Sequence, residues 1–190
     1  MDIEKIQNAK TKYIGKEIYF FKEIDSTQTE AKRNVAKYSN GTIIIADVQT
    51  KGKGTHGRIW HTKDDNIAMT IILKPEIKIK KLEGFTVEIA KNIQKAIKDL
   101  YNINLEIKLP NDLLLNNKKI CGILTEATTI KENVKEIFIG IGFNVNENEF
   151  ADEIVDIATS LYKETNHTYC REDIICKIIE NIEIELEKRI

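Results

Sequence analysis

Apolar residues along the chain fall into two periodicities. Residues 42–48 (TIIIADV) and 67–73 (IAMTIIL) are short, β-branched runs, and both predict buried strands. Leu82, Phe85, Ile89, Ile93, Ala96, Ile97 and Leu100 recur at steps of three and four, which predicts an amphipathic helix of about five turns. Residues 103–109 read as extended, because Leu109 precedes Pro110 and is pushed away from helical angles. Residues 112–115, an Asn116-Asn117-Lys118 turn and residues 119–126 read as a hairpin, and 136–145 as a further strand. Ile174, Ile175, Ile178, Ile179, Ile182 and Leu186 form a second helical stripe. Near the start, Thr27 with Glu30 three residues later resembles a capping box that opens a helix over about 28–38. Strands interleaved with long helices predict an α+β domain, with helices covering one face of a mixed, mostly antiparallel sheet. With two prolines and no low-complexity linker or repeat, residues 1–190 read as one domain.

Charge narrows the partners. Lys and Arg total 29 against 30 Asp and Glu, which argues against a general nucleic-acid surface. No apolar run approaches the roughly 20 residues of a membrane span. The N-terminus lacks the shape of a signal peptide. Three cysteines, Cys121, Cys170 and Cys176, form no CxxC pair, which favours a reduced cytoplasmic setting over a disulfide framework or a zinc site.

The most informative segment follows the first predicted strand. Gln49-Thr50-Lys51 leads into Gly52-Lys53-Gly54-Thr55-His56-Gly57-Arg58-Ile59-Trp60. Its glycines let the backbone approach a ligand closely and turn N–H groups toward an anion. Lys51, Lys53 and Arg58 add positive charge, and Trp60 offers a flat ring. The segment is neither a Walker A loop nor GxGxxG after a strand. On composition alone, a solvated surface loop explains it equally well.

Motifs elsewhere fall in an order that resembles the catalytic domain of biotin–protein ligases. GKGTHGRIW at 52–60 is similar to that family's GRGRxGRxW loop. Asp25-Ser26-Thr27-Gln28 resembles DSTN, and Lys108-Leu109-Pro110-Asn111-Asp112 resembles KWPND. Residues 119–126 (KICGILTE) resemble KxxGILxE, and 140–146 (GIGFNVN) resemble GIGINVN. The resemblance implies the class II aminoacyl-tRNA synthetase-like fold of biotin and lipoyl ligases. It also implies that ATP, with Mg²⁺, converts biotin to biotinyl-5′-AMP, and that the biotin passes to a lysine of a biotin carboxyl carrier domain of acetyl-CoA or pyruvate carboxylase.

The same resemblance assigns residues. Ser26, Thr27, Gln28, Gln49, Gly52, Lys53, Gly54, Thr55, Lys119 and Gly122 would contact biotin. Lys53, Arg58, Trp60, Asn111, Lys119, Asn144 and Asn146 would face ATP. Lys119, Lys53 and Asp112 would be catalytic: the cations neutralise carboxylate and phosphate, and Asp112 accepts or orients the proton of the acceptor amine, whose free pKa is about 10.4. Each residue type also has a plainer reading. Ser26 and Thr27 could be a helix cap, Lys119 an exposed lysine beside a turn, and Asn111-Asp112 a turn pair. No carboxylate cluster suggests a dedicated metal site, so the magnesium would be held by phosphates and water.

The pattern departs from the family at Thr55 and His56, where arginine is common; Thr55 lacks that charge, so either the adenylate is gripped less tightly or Lys51 or His56 compensates. His56 reads as an exposed loop histidine and not as a base. Leu109 stands for tryptophan, a mild apolar exchange. The length predicts a non-repressor form without an N-terminal DNA-binding domain, with the C-terminal β-barrel of other members absent or truncated. The resemblance leaves monomer or homodimer open. Two alternatives remain, a lipoate or octanoate transferase and a biotin or adenylate sensor with impaired transfer.

Overall fold

The computed structural model describes residues 1–63 and 65–189, except for the side chains of His56 and Arg189. The elements run α1 (Ile3–Gln7), β1 (Ile18–Ile24), α2 (Thr27–Arg33), β2 (Ile43–Gln49), β3 (Ile67–Leu73), α3 (Phe85–Tyr101), β4 (Glu106–Lys108), β5 (Asp112–Leu115), β6 (Lys118–Ile130), β7 (Asn133–Phe143), α4 (Leu161–Thr165) and α5 (Arg171–Arg189). Among the described residues the strands form one sheet in the order β1-β2-β3-β7-β6-β5-β4. Its neighbours pair antiparallel except β1 with β2.

The pleat sends alternate residues to opposite faces. Ile43 and Ile45 of β2, Ile67, Ile71 and Leu73 of β3, and Ile137, Ile139 and Phe143 of β7 join one core with the apolar stripes of α3 and α5. The stripe on α5 is the one that the sequence predicts: Ile174, Ile175, Ile178, Ile179 and Ile182 are fully buried. The opposite face carries a smaller cluster, in which Ala31 of α2 and Tyr38 pack on Ile44, Ile72 and Phe138. Beyond this cluster the strands present Thr70, Gly140 and Gly142, and these small residues leave room above the sheet.

Three sequence expectations are refined. Helices lie on both faces and not on one, because α2 packs over β2, β3 and β7. The cap of α2 is Ser26, whose Oγ accepts the Thr29 N–H at 3.3 Å. Glu30 does not reach back to the cap; its carboxylate binds the Tyr38 hydroxyl and the Asn34 amide, each at 2.7 Å. The helix ends at Arg33, short of the expected 38, and is followed by a 3₁₀ turn over Val35–Lys37. The hairpin between β5 and β6 turns on Asn116 and Asn117 alone, both at positive φ, as a two-residue turn requires.

A buried ion pair ties the second long helix to the sheet. Asp47 of β2 accepts from Arg171 at the start of α5 at 3.1 Å and from Lys22 at 3.0 Å. Arg171 also donates to the Asn66 carbonyl at 3.0 Å. Burial alone would raise the Asp47 carboxyl, but the bonds from Lys22 and Arg171 outweigh it and hold it below the usual carboxylate range. Its stabilisation is therefore complete above the unfolded value of about 3.9 and disappears as pH falls through the lower folded value. Asp47→Asn is expected to cost about 3 kcal/mol in urea unfolding at pH 7, since Arg171 keeps its charge without its counterion. The gap to wild type should narrow as pH falls through that lowered value; a gap that is constant with pH would refute the charge-pair origin.

Candidate functional site

On the α2 side of the sheet lies a cavity of about 490 Å³. Its floor is laid by Thr70 of β3, by Gly122 and Leu124 of β6, and by Gly140 and Gly142 of β7. Ser26, Thr27 and Gln28 close one end, because Ser26 starts α2 directly above the sheet. The glycine-rich segment forms one wall. Gln49 bridges to Thr62 and Lys53 to Ile59, so this stretch folds back on itself as an irregular ribbon, with a 3₁₀ turn at Thr55–Gly57 as its tip. The facing wall is Glu147, Phe150, Ala151, Ile154, Ile157 and Ala158, from the connection between β7 and α4. No sequence pattern flags this connection. Its irregular acidic run carries no period, and it reaches the site through the Lys119–Ala158 bridge.

Hydrogen bonds set the inner end. Gln49 Oε1 accepts from the Thr27 backbone N–H at 2.9 Å and faces its hydroxyl at 3.1 Å. Gln49 Nε2 donates to Thr62 at 3.0 Å. The Thr70 hydroxyl lies 2.9 Å from Thr27 Oγ1 and 3.1 Å from Gln28 Oε1. Gln28 is 3 % exposed, and a side chain at Gly140 would bring its first carbon to 2.8 Å from Gln28 Oε1. Any larger residue there would push the Gln28 amide out of its present place.

The Trp60 indole lies against the floor, close over Gly142 and Gly122. The Trp60 backbone N–H donates to the Gly52 carbonyl at 3.0 Å, which closes the ribbon. The Lys119 ammonium sits 5.5 Å from the centre of the indole, within cation–π range. The same ammonium pairs with Asp112 Oδ1 at 2.7 Å. Asp112 starts β5 opposite Gly122 and Lys119 lies near the start of β6 opposite Leu114, so the long Lys119 side chain reaches along the hairpin to the carboxylate. The two are largely shielded, with 15 % and 29 % of their side chains exposed.

A second cavity of about 340 Å³ adjoins the first. It shares Thr55, Arg58, Asn111, Ile123 and Leu124 with the first, and adds Asp112, Lys108 and the exposed Leu109. Arg58 sits between the two, its Nη2 on the Thr55 hydroxyl at 2.8 Å and its Nε on the Thr55 carbonyl at 3.2 Å. Thr55 brings no charge of its own but holds the neighbouring cation at the tip. The His56 side chain lies outside the described residues.

The cavity thus gathers Ser26, Thr27, Gln28, Gln49, Lys53, Gly54, Thr55, Arg58, Trp60, Asn111, Lys119, Gly122 and Asn144. Three positions expected at the site fall elsewhere. Gly52 packs against the Trp60 backbone and shapes the ribbon. Asp112 lines the second cavity. Asn146 is not on either wall: its carboxamide is spent on the Tyr169 backbone, donating to the carbonyl and accepting from the N–H, each at 2.9 Å. Asn144, although on the wall, gives its amide to the Thr159 carbonyl at 3.0 Å. Asn111 likewise donates to the Ile123 carbonyl at 3.0 Å. These asparagines hold backbone in place. Among the described residues no three His, Cys, Asp or Glu side chains converge on a metal position. On the cavity wall, Glu147 is already engaged by Lys63 and Asn66.

Comparisons with known proteins point the same way. Residues 20–144 match the family described as Biotin/lipoate A/B protein ligase. The chain is 37 % identical over 174 residues to the bifunctional ligase/repressor BirA of Bacillus subtilis, covering 90 % of this chain and 54 % of that protein. It is 31 % identical over 163 residues to a biotin–[acetyl-CoA-carboxylase] ligase of Paracoccus denitrificans, covering 80 % of this chain and 65 % of that one. Among solved structures, a biotin protein ligase from Aquifex aeolicus in complex with biotin and ATP superposes with a TM-score of 0.80 at 32 % identity, covering 91 % of this chain and 71 % of that one. The chain spans about half the length of the Bacillus protein.

Proposed function

The chain belongs to the biotin/lipoate A/B protein ligase family, and from that premise we propose that it activates biotin with ATP and transfers it to a lysine of a biotin carboxyl carrier domain. The observation that carries this reading is the Lys119 ammonium, held by Asp112 at 2.7 Å on the wall of a cavity that also gathers Gln49, Lys53 and Arg58. Joining two anions needs fixed positive charge where negative charge builds up.

In the first half-reaction a biotin carboxylate oxygen attacks the α-phosphorus of ATP. The bond to the β-phosphate breaks and pyrophosphate leaves. Lys119 faces both the carboxylate and the α-phosphate. Lys53 and Arg58 bring further charge from the ribbon, which also shields the mixed anhydride from water. Thr27, Gln28 and Gln49 meet the polar ring of biotin, while Trp60 and Leu124 line its apolar body. Mg²⁺ would arrive with ATP on its phosphates and water, and no step here is assigned to it. In the second half-reaction the acceptor amine enters from the second cavity and attacks the acyl carbon, and AMP departs with the bonding electrons. Asp112, on that cavity's wall, orients the amine and takes its proton. Between turnovers Asp112 holds Lys119.

No described helix is long and apolar enough to cross a membrane; we place the reaction in the cytoplasm on the reading of the unpaired thiols. The test is incubation with ATP, labelled biotin and a purified carrier domain. Label on the carrier, with release of AMP and pyrophosphate, is expected. Binding of biotin with no labelled carrier would overturn the transferase reading and favour a sensor; labelling with lipoate or octanoate and not with biotin would favour the related transferases.

A further inference from the structure

Glu126 does not line the cavity; it closes the 119–126 motif, but neither the proposed chemistry nor the resemblance gives it a task. Its carboxylate nevertheless terminates the chain of hydrogen bonds along the inner wall. One oxygen accepts from Gln28 Nε2 at 2.9 Å, and the other accepts from the Lys32 ammonium at 2.9 Å. Gln28 Nε2 also faces the Leu124 and Phe138 carbonyls, each at 3.4 Å. An amide group reads equally well with its oxygen and nitrogen exchanged unless its neighbours decide. Three acceptors on one side decide here, and the carboxylate is the closest and the only charged one. The Gln28 nitrogen must point at Glu126, so its oxygen must point at Thr70 and Gly140.

That orientation propagates. With Gln28 Oε1 as acceptor, Thr70 donates to it at 3.1 Å. The same Thr70 hydroxyl also faces Thr27 Oγ1 as donor at 2.9 Å, and the Thr27 hydroxyl passes its own proton on to Gln49 Oε1 at 3.1 Å. Gln49 Oε1 is further fixed as an acceptor by the Thr27 backbone N–H at 2.9 Å. The pattern of donors and acceptors that a polar ring meets at the end of the cavity is thus set from outside it. Burial would raise the Glu126 carboxyl, but Lys32 and Gln28 outweigh that and hold it below the usual range, so it stays an acceptor at neutral pH.

We propose that Glu126, paired with Lys32, is a positioning residue that fixes the hydrogen-bond polarity of the pocket wall through Gln28 and thereby sets the affinity for the ureido ring. The inference rests on the ligase reading.

The decisive variant is Glu126→Gln, which keeps the shape and removes the charge. A glutamine there has one oxygen, and the Lys32 ammonium claims it as the stronger donor. The new amide nitrogen then faces Gln28 Nε2, donor against donor, and Gln28 must turn or withdraw. Biotin affinity, measured calorimetrically, is expected to fall about tenfold, the scale of one lost charged hydrogen bond. In adenylate formation the KM for biotin should rise equally, with kcat changed less than about threefold. Adding Lys32→Met frees the glutamine oxygen to turn to Gln28, so the double variant should recover most of the affinity. A merely structural Glu126 would make the second change additive or harmful. Wild-type-like affinity in Glu126→Gln, or no recovery in the double variant, overturns the proposal while leaving the ligase reading intact. Failure of the wild-type protein to bind biotin would defeat the ligase reading itself, and the proposal with it.

Discussion

Lys119→Met should lower the rate of biotinyl-adenylate formation by at least about a hundredfold, comparable to removing one preorganised donor at a site of developing charge. Methionine retains the length and apolar stem of lysine, so contact with the indole of Trp60 survives in part. What disappears is the ammonium, and with it the only ion-pair partner of Asp112 among the described residues. Asp112 Oδ1 is buried with no conventional hydrogen bond, which makes that partner matter to it. The variant therefore combines loss of catalytic charge with a stranded carboxylate. Lys119→Met paired with Asp112→Asn separates the two effects. Stability should return in the double variant, whereas adenylation should not. Pyrophosphate release from ATP and biotin is the assay, and activity within about fivefold of wild type would remove Lys119 from the chemistry.

Gly142→Val should be nearly as damaging for a different reason. Any side chain at Gly142 would overlap the indole of Trp60. Valine suits a strand, and Gly142 pairs with Ala68 and Gly122 in regular register, so the sheet should tolerate it. Trp60 must move instead. Because its backbone N–H closes the ribbon on the Gly52 carbonyl, the wall carrying Lys53 and Arg58 shifts with it. The expected result is a loss of about tenfold or more in biotin affinity, with far-UV circular dichroism unchanged; misplaced site groups carry penalties of that order or larger. Unaltered affinity would mean that the indole does not anchor the ribbon.

Much of this protein is legible in its sequence. The apolar pattern places β3 at its observed bounds and starts β2 one residue early, and it marks the buried stripes of α3 and α5, because burial on one face imposes a period that a single segment displays by itself. The turn asparagines are equally local, whereas the cavity residues of the glycine-rich segment are marked by the family resemblance and not by their spacing alone. Other features depend on partners far along the chain. Strand β1 escapes the pattern because it is an edge strand that leaves Tyr19 and Phe20 exposed, so no alternation marks it. The side of the sheet taken by α2 is likewise hidden, since it depends on Ala31 and Tyr38 meeting Ile44, Ile72 and Phe138. The tie from Gln28 to Glu126 joins residues 98 positions apart, and the acidic wall at 147–158 meets the site through Lys119 and Asn66, far back along the chain. Asn146 shows the same limit from the other side: its motif points to the nucleotide, and packing gives its amide to Tyr169. Local periodicity specifies the elements, but which polar groups remain free to meet a ligand is settled only when every buried donor and acceptor has found its partner.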